Sequence, residues 1–427
     1  MKITIHKGIN HIGGCITEIQ SGDDRIMIDL GSNLPGTDGK DFSPEEIRKK
    51  TTGVKAILYT HYHGDHLGHF AKAAACKQYI GEGALEVSKI KFGTLQDASE
   101  KNLAEGRAEA AKKLDKSAEM ATLLKMDAFR PNEPIKIGNF TVTPFFCSHS
   151  AFDSYMFLVE AEEKKILHTG DFRDHGYLGK GLNKFLTAFV GQVDVLITEG
   201  TMLSRGAERV RTEAELQVEA YNLLTRDDGT HQFFALCSST DIDRLVTFHQ
   251  ACKITDAWFV VDSYQKQVLD IFTKYAGKHS GAFVFDRVKV LGIEKGFFEE
   301  IKKTGFIMAV RSSQINNLKK YCKCFPDAEL IYSMWNGYRD EKSTARNQDV
   351  IDICNIFSNE SIHYIHTSGH ATPQAIRNVI EMTRPRKKII IIHKDKNSDI
   401  RLLHLNAQEM DKVVTGFDDD SKNTIEI

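Results

Sequence analysis

No apolar run in this sequence approaches the roughly 20 residues that a membrane span needs, so no membrane partner is expected. The N-terminal Met1-Lys2-Ile3-Thr4-Ile5-His6 alternates like a strand and lacks the apolar core of a signal peptide. Proline is scarce, with 8 in 427 residues, and no long low-complexity stretch occurs, which argues against a disordered linker. An excess of one charge is missing too. A net charge of −2 excludes a global field for polyanions, so any nucleic-acid contact must come from a local groove. Closely spaced cysteines are nearly absent. Cys15, Cys76, Cys147, Cys237, Cys252 and Cys354 are scattered through apolar surroundings, and only Cys322 and Cys324 stand close, at a spacing poor for a zinc knuckle. Reduced core thiols and a cytoplasmic location are the expectation.

What is present concentrates in one stretch, Thr60-His61-Tyr62-His63-Gly64-Asp65-His66-Leu67-Gly68-His69. The apolar run Val54–Tyr59 before it reads as a buried strand. His61 and His63, two apart, can leave the strand end on one side, while Asp65 and His66 come round as the chain turns into a helix. Four N/O donors within six residues exceed what one open catalytic zinc takes, about three protein ligands plus water. The spacing therefore suggests two cations side by side, roughly 3.5–4 Å apart. The bland alternative, a His-rich surface loop, does not account for so dense a pattern after a buried strand.

Along the chain, β-type patterning runs from Met1 to Leu30 and ends at Asp29-Leu30-Gly31, an acid followed by a tight turn. Ser43 before Pro44-Glu45-Glu46 marks a capped helix start. A helix is expected through Ala71–Cys76 and a strand at Gln78–Ile80. Ala84–Met126 has helical spacing and many charges, and reads as a solvated helical decoration. Strands resume at Ile135–Thr143, Tyr155–Val159, Lys165–His168 and Val193–Thr201. Strands then alternate with helices in an α/β pattern, with strand-like runs at Phe233–Cys237, Ala257–Val261, Phe283–Phe285, Phe306–Val310 and Leu330–Tyr332. Three parts are predicted: 1–204, an inserted α/β domain over 205–359, and a return of the first domain over 360–427.

His61-Tyr62-His63-Gly64-Asp65-His66 is an HxHxDH signature, and the chain resembles the metallo-β-lactamase-fold hydrolases. Asp29 resembles the first motif of that family, Ser148-His149-Ser150 the third and Thr169-Gly170-Asp171 the fourth. Beyond the α/β insertion, Thr367-Ser368-Gly369-His370-Ala371 and Ile392-His393 resemble motifs B and C of the β-CASP nucleases, and Thr198-Glu199-Gly200-Thr201 resembles motif A. The Ser-Gly-His-Ala element is closest to ribonuclease J-like members.

The resemblance covers nearly the whole chain. It implies an α/β fold, a metallo-β-lactamase αββα sandwich carrying an inserted β-CASP domain. By the same resemblance His61, His63 and His149 would hold one Zn2+, and Asp65, His66 and His393 the other. Asp171 would bridge them, with Mn2+ able to take their place, and Asp29 would orient ligands from outside. The implied reaction is hydrolysis of RNA, or of single-stranded DNA, by water acidified between the cations, with Asp65, His370 and Glu199 catalytic. Glu199 would favour protonated His370 on the leaving-group side. Ser238, Ser239 and Thr240 start a helix with Arg244 one turn in, which resembles a phosphate-contacting loop; Ser368 and Gly369 join that substrate set. Helix capping alone is the competing reading of the loop. The family admits assembly as a homo-oligomer. Typical bacterial ribonuclease J carries an additional C-terminal domain, a departure from this sequence, which ends at Ile427. Alternatives are a DNA nuclease, another hydrolase of the fold, or a degenerate non-catalytic RNA-processing partner. The filled donor set favours an enzyme.

Overall fold

The computed structural model describes residues 1–37, 39–205, 209–227, 231–292, 296–414 and 423–427. It divides into two compact units: Met1–Asp174, Leu178–Arg209 and Gly369–Ile427 form the first, His175–Tyr177 and Val210–Ser368 the second.

The first unit is a sandwich of two sheets. One contains β1 (Lys2–Lys7), β2 (Ile16–Ser21), β3 (Asp24–Ile28), β4 (Ala56–Leu58), β5 (Lys77–Gly81) and β6 (Asp127–Phe129), joined at its edge by β19 (Thr424–Glu426) in the order β19-β1-β2-β3-β4-β5-β6. The other contains β7 (Ile135–Ile137), β8 (Phe140–Cys147), β9 (Ser154–Ala161), β10 (Lys164–His168), β11 (Val195–Glu199) and β18 (Lys388–Ile392), in the order β18-β11-β10-β9-β8-β7. β3 and β4 are parallel neighbours, as are β10, β11 and β18. Their inward faces share one core: Ile26, Ile28, Ala56 and Leu58 from the first sheet meet Phe157, Ile166, Ile197 and Ile390 from the second. Each such side chain removed from water contributes about 1.5–3 kcal/mol. The outer face of the second sheet is covered by the helix Pro373–Thr383 through Ala375, Ile376, Val379 and Ile380.

The second unit is one parallel sheet. β12 (Gln232–Leu236), β13 (Trp258–Val261), β14 (Val288–Val290), β15 (Phe306–Val310), β16 (Glu329–Tyr332) and β17 (Ile362–Tyr364) lie in the order β14-β13-β15-β12-β16-β17. Their near-continuous apolar runs suit strands buried on both faces.

Three local expectations are corrected. Ala71–Cys76 is not a helix: a 3-10 turn covers Phe70–Lys72, Ala73 is extended, and the Ala74 amide donates to Thr51 Oγ1 at 2.8 Å. A tertiary hydrogen bond there outweighs the helix propensity of alanine. Phe283–Phe285 is not a strand, because a 3-10 turn over Gly281–Phe283 carries the two phenylalanines into the core, Phe285 against His249. Ile362–Tyr364 does not return to the first domain at 360; it pairs with β16 as the last strand of the second unit, and the first unit resumes at Gly369.

Candidate metal centre

In parallel sheets the carboxyl ends of strands carry loops free of ladder bonds, and functional groups collect there. Here β3 ends in Asp29, β4 in the stretch from Thr60 to His66, β10 in the loop to Asp171, β11 in Glu199 and β18 in His393. All these residues belong to the first unit. The antiparallel β8 delivers His149 at its own carboxyl end. Two strand ends take left-handed backbone without glycine, Asp29 at φ 63° and His393 at φ 51°. Such conformations cost on the order of 1–3 kcal/mol and persist where neighbours over-determine them. At Gly31 the fit is closer still: a Cβ would stand 1.7 Å from the Asp65 carbonyl oxygen.

The donors converge in two separate groups. Ligating atoms of His61, His63 and His149 lie within 4.8 Å of one another, as do those of Asp65, His66, Asp171 and His393. His149 Nε2 is 3.3 Å from His63 Nδ1, and His66 Nε2 is 3.2 Å from Asp171 Oδ2. A ring that ligates through Nε2 must carry its proton on Nδ1, and these rings each have an acceptor there. His61 Nδ1 faces Thr60 Oγ1 at 3.0 Å, His66 Nδ1 faces Asp29 Oδ2 at 2.7 Å, His149 Nδ1 faces the Gly369 carbonyl at 2.7 Å, and His393 Nδ1 faces Thr201 Oγ1 at 2.8 Å. Asp29 also accepts from the Thr60 amide and hydroxyl, both at 2.8 Å.

The electrostatics suit divalent cations. Burial holds His61 and His149 well below the ordinary imidazole range and His63 down at about 4, so this group is neutral and ready to donate electron pairs. Burial also opposes charge on His66 and His393, but Asp171 and the neighbouring carboxylates overcome it and hold both values up. Asp65 and Asp171 are depressed against burial by His66, His393 and, for Asp171, His370. Among the described residues no lysine or arginine forms an ion pair with Asp65, Asp171 or Glu199. His61 Nε2, His66 Nε2 and Asp171 Oδ2 are buried without a hydrogen bond. Unpaired polar atoms at this depth cost about 1–3 kcal/mol each, and divalent cations with N/O ligands would satisfy all three.

Beside the donors, Glu199 is buried. Its Oε1 accepts from the Phe172 amide at 2.9 Å and the Ala371 amide at 3.2 Å, and its Oε2 meets His370 Nδ1 at 3.0 Å. The His370 side chain keeps 21% of its surface exposed.

The structure brings together Asp29, His61, His63, Asp65, His66, His149, Asp171, Glu199, His370 and His393. Gly369 joins them by its carbonyl, and a Cβ there would lie 2.5 Å from Ser150 Oγ. The other substrate candidates lie in the second unit. Ser238 is exposed and Ser239 Oγ is 3.4 Å from Tyr264 Oη, while the helix Ile242–Ile254 is capped by Asp241 rather than by a hydroxyl. The Ser368 carbonyl accepts from His175 Nε2 at 2.7 Å. Arg244 is a correction. Its guanidinium is fully buried, pairs with Glu213 at 3.0 Å and bonds Ser333, so it holds the second unit together instead of reaching phosphate. Sequence reasoning missed Thr60 and Thr201, hydroxyls next to a ligand and two residues past an acid. It also took Cys15 for a plain core thiol, whereas its sulfur lies within 4.8 Å of ligating nitrogens of His66 and His393.

The two-sheet sandwich agrees with a metallo-β-lactamase superfamily domain in this chain. Residues 24–228 match the model of the β-lactamase superfamily domain. Ribonuclease J of Helicobacter pylori strain 26695 is 27% identical over 184 residues, 41% of this chain and 24% of that protein. Ribonuclease J of strain J99 is 27% identical over 184 residues as well, 23% of its length. The chain thus spans about a quarter of the length of the curated relatives it matches. A crystal structure of a protein of unknown function from Enterococcus faecalis V583 superimposes with a TM-score of 0.71 over 99% of each chain at 15% identity, which is a likeness of fold.

Proposed function

We propose that this chain is a metal-dependent phosphodiesterase that hydrolyses RNA. The observation that carries the reading is the pairing of His370 with buried Glu199 beside a seven-donor centre. A hydrolase of activated esters has no need of a held proton donor, whereas an alkoxide leaving from a phosphodiester does. Glu199 is itself fixed by two backbone amides, so it can hold His370 Nδ1–H and leave Nε2 as the atom that gives a proton to the leaving 3′ oxygen. Water adds to phosphorus, the 3′ oxygen leaves protonated, and the products are a 3′-hydroxyl and a 5′-phosphate.

His61, His63 and His149 would hold one zinc, Asp65, His66 and His393 a second, and Asp171 both. Such cations supply acidification of water near neutral pH and neutralisation of charge on phosphoryl oxygens. The chain's own part is to orient the donors through Asp29, Thr60, Thr201 and the Gly369 carbonyl, and by burial to keep His61, His63 and His149 neutral. The similarity to ribonuclease J supports RNA as the substrate and the second unit as a β-CASP insertion. The test is cleavage of matched RNA and DNA oligonucleotides labelled at either end, with zinc or manganese and with chelator. RNA cleaved only with metal, leaving 5′-phosphate ends, is the expected result. Cleavage of DNA alone would move the substrate assignment, and a metal-loaded protein inert on both would overturn the reading.

A further inference from the structure

The helical region after β5 reads in sequence as a solvated decoration, but its first helix, Glu82–Ala104, is docked on the ligand-bearing segment. β5 runs parallel to β4, and the Tyr59 amide donates to the Tyr79 carbonyl at 2.8 Å, so the helix begins beside the strand end that carries His61 and His63. The Ala84 amide in its first turn donates to Asp153 Oδ2 at 3.0 Å. Two turns on, the Phe92 ring packs on Phe70 with centroids 5.6 Å apart, and Phe70 lies four residues beyond His66.

Lys91 sits next to that contact. Its side chain is half-buried, its ammonium lies 5.8 Å from the centroid of Phe92, and among the described residues no carboxylate pairs with it. Lys116 in the same region shows the ordinary arrangement, pairing with Glu119 at 3.2 Å. Lys91 follows buried Val87 by four residues and buried Ser88 by three, so it leaves the helix from its docked face. Burial pushes the Lys91 value down while Asp65 pulls it back.

We propose that Lys91 is an anion-binding residue that holds a phosphate of the substrate beside the metal centre. This rests on the phosphodiesterase reading. Lysine acts as a point charge toward phosphate, and a phosphate oxygen would give the ammonium the charge partner that no carboxylate among the described residues supplies. The competing role is a counter-charge for the buried carboxylates, which would alter metal affinity without touching substrate affinity.

The experiment compares wild type with Lys91→Met and Lys91→Arg. A fluorescein-labelled ten-nucleotide RNA is titrated by anisotropy over a salt series without metal. Lys91→Met is expected to weaken binding about tenfold and to flatten the log–log salt slope by about 0.7, the share of one phosphate on a single strand. Lys91→Arg restores both. On bis(p-nitrophenyl) phosphate the methionine variant raises KM, while KM for the neutral p-nitrophenyl acetate is unchanged. Equal RNA affinity and slope in wild type and Lys91→Met, with the diester still hydrolysed by both, would overturn the proposal and leave the function standing. If wild type cleaves neither RNA nor DNA, the function falls. Lys91 is then judged by inorganic phosphate, whose equal affinity for wild type and Lys91→Met overturns its role.

Discussion

The molecule contains two buried clusters of charge, one in each unit, and they are built on opposite plans. In the second unit Arg244 brings its own cation: Nη2 and Nε contact the Glu213 carboxylate at 3.0 and 3.2 Å, and Thr247 Oγ1 donates to Glu213 Oε2 at 2.8 Å. In the first unit, among the described residues, the ionisable partners of Asp65, Asp171 and Glu199 are histidines alone, and His61 Nε2, His66 Nε2 and Asp171 Oδ2 lack a hydrogen bond. Depth of burial is similar, with every one of these acids 7% exposed or less. What separates a fold-holding cluster from a binding site is therefore whether the chain supplies the compensating charge.

The largest expected effect breaks the comparison from both sides. Asp171→Ala should lower hydrolysis by more than about 10³-fold, since it removes the acid proposed to serve both cations, while leaving the metal-free melting temperature near that of wild type. Arg244→Met should do the reverse. It strands buried Glu213, costs about 3–5 kcal/mol, and leaves metal content per folded molecule intact. Metal analysis and thermal melts on both variants check the pair, and a metal-depleted Arg244→Met would show that the clusters are not independent. Next, His370→Ala should lower turnover on RNA by about 10²–10⁴-fold with metal content unchanged. A diester with a far better leaving group should escape the loss; an equal loss on it would leave His370 a positioning residue.

Thr201→Val sharpens the contrast more gently. The hydroxyl holds His393 Nδ1 at 2.8 Å and stands 3.2 Å from His370 Nδ1. Losing such a ligand-orienting bond typically costs 10–100-fold in metal affinity, which competition with a chelating dye would read. Unchanged affinity would remove Thr201 from the site. The smallest effect is on pH. His63 and His168 are held at about 4 by burial, against an ordinary 6.5 in the unfolded chain. The unfolded state binds more protons between those values, so each contributes a loss of stability as pH falls from 6.5 toward 4. His61 and His149 add to this, while the raised His66 and His393 oppose it with stability present below 6.5 and lost as pH rises through their folded values. Without metal, the melting temperature should fall between pH 7 and 5. A flat wild-type profile would contradict the assignment of neutral histidines.

Much of the first cluster was legible before any fold was known. Period-two and apolar runs marked the strands, and donors at the ends of those runs marked where a site would form, because a strand end is the one place where a rigid element hands side chains to a loop. The helix at Ser43 was equally plain, since its capping box, Ser43 with Glu46, is entirely local. The failures were of another kind. Ala71–Cys76 and Phe283–Phe285 have strong local preferences that a distant hydrogen-bond acceptor or a core contact overrode.

By itself the sequence determined which residues could carry chemistry: the HxHxDH stretch, His149, Asp171, Glu199, His370 and His393 are visible as types in a spacing. Only the tertiary structure decided what each buried charge is for. Arg244 and Lys91 look alike in sequence, a cation on a helix, yet one pairs with Glu213 and the other has no carboxylate partner among the described residues. Compensation of a buried charge depends on partners tens to hundreds of residues away, and burial, which makes that compensation matter, exists only once the chain has folded.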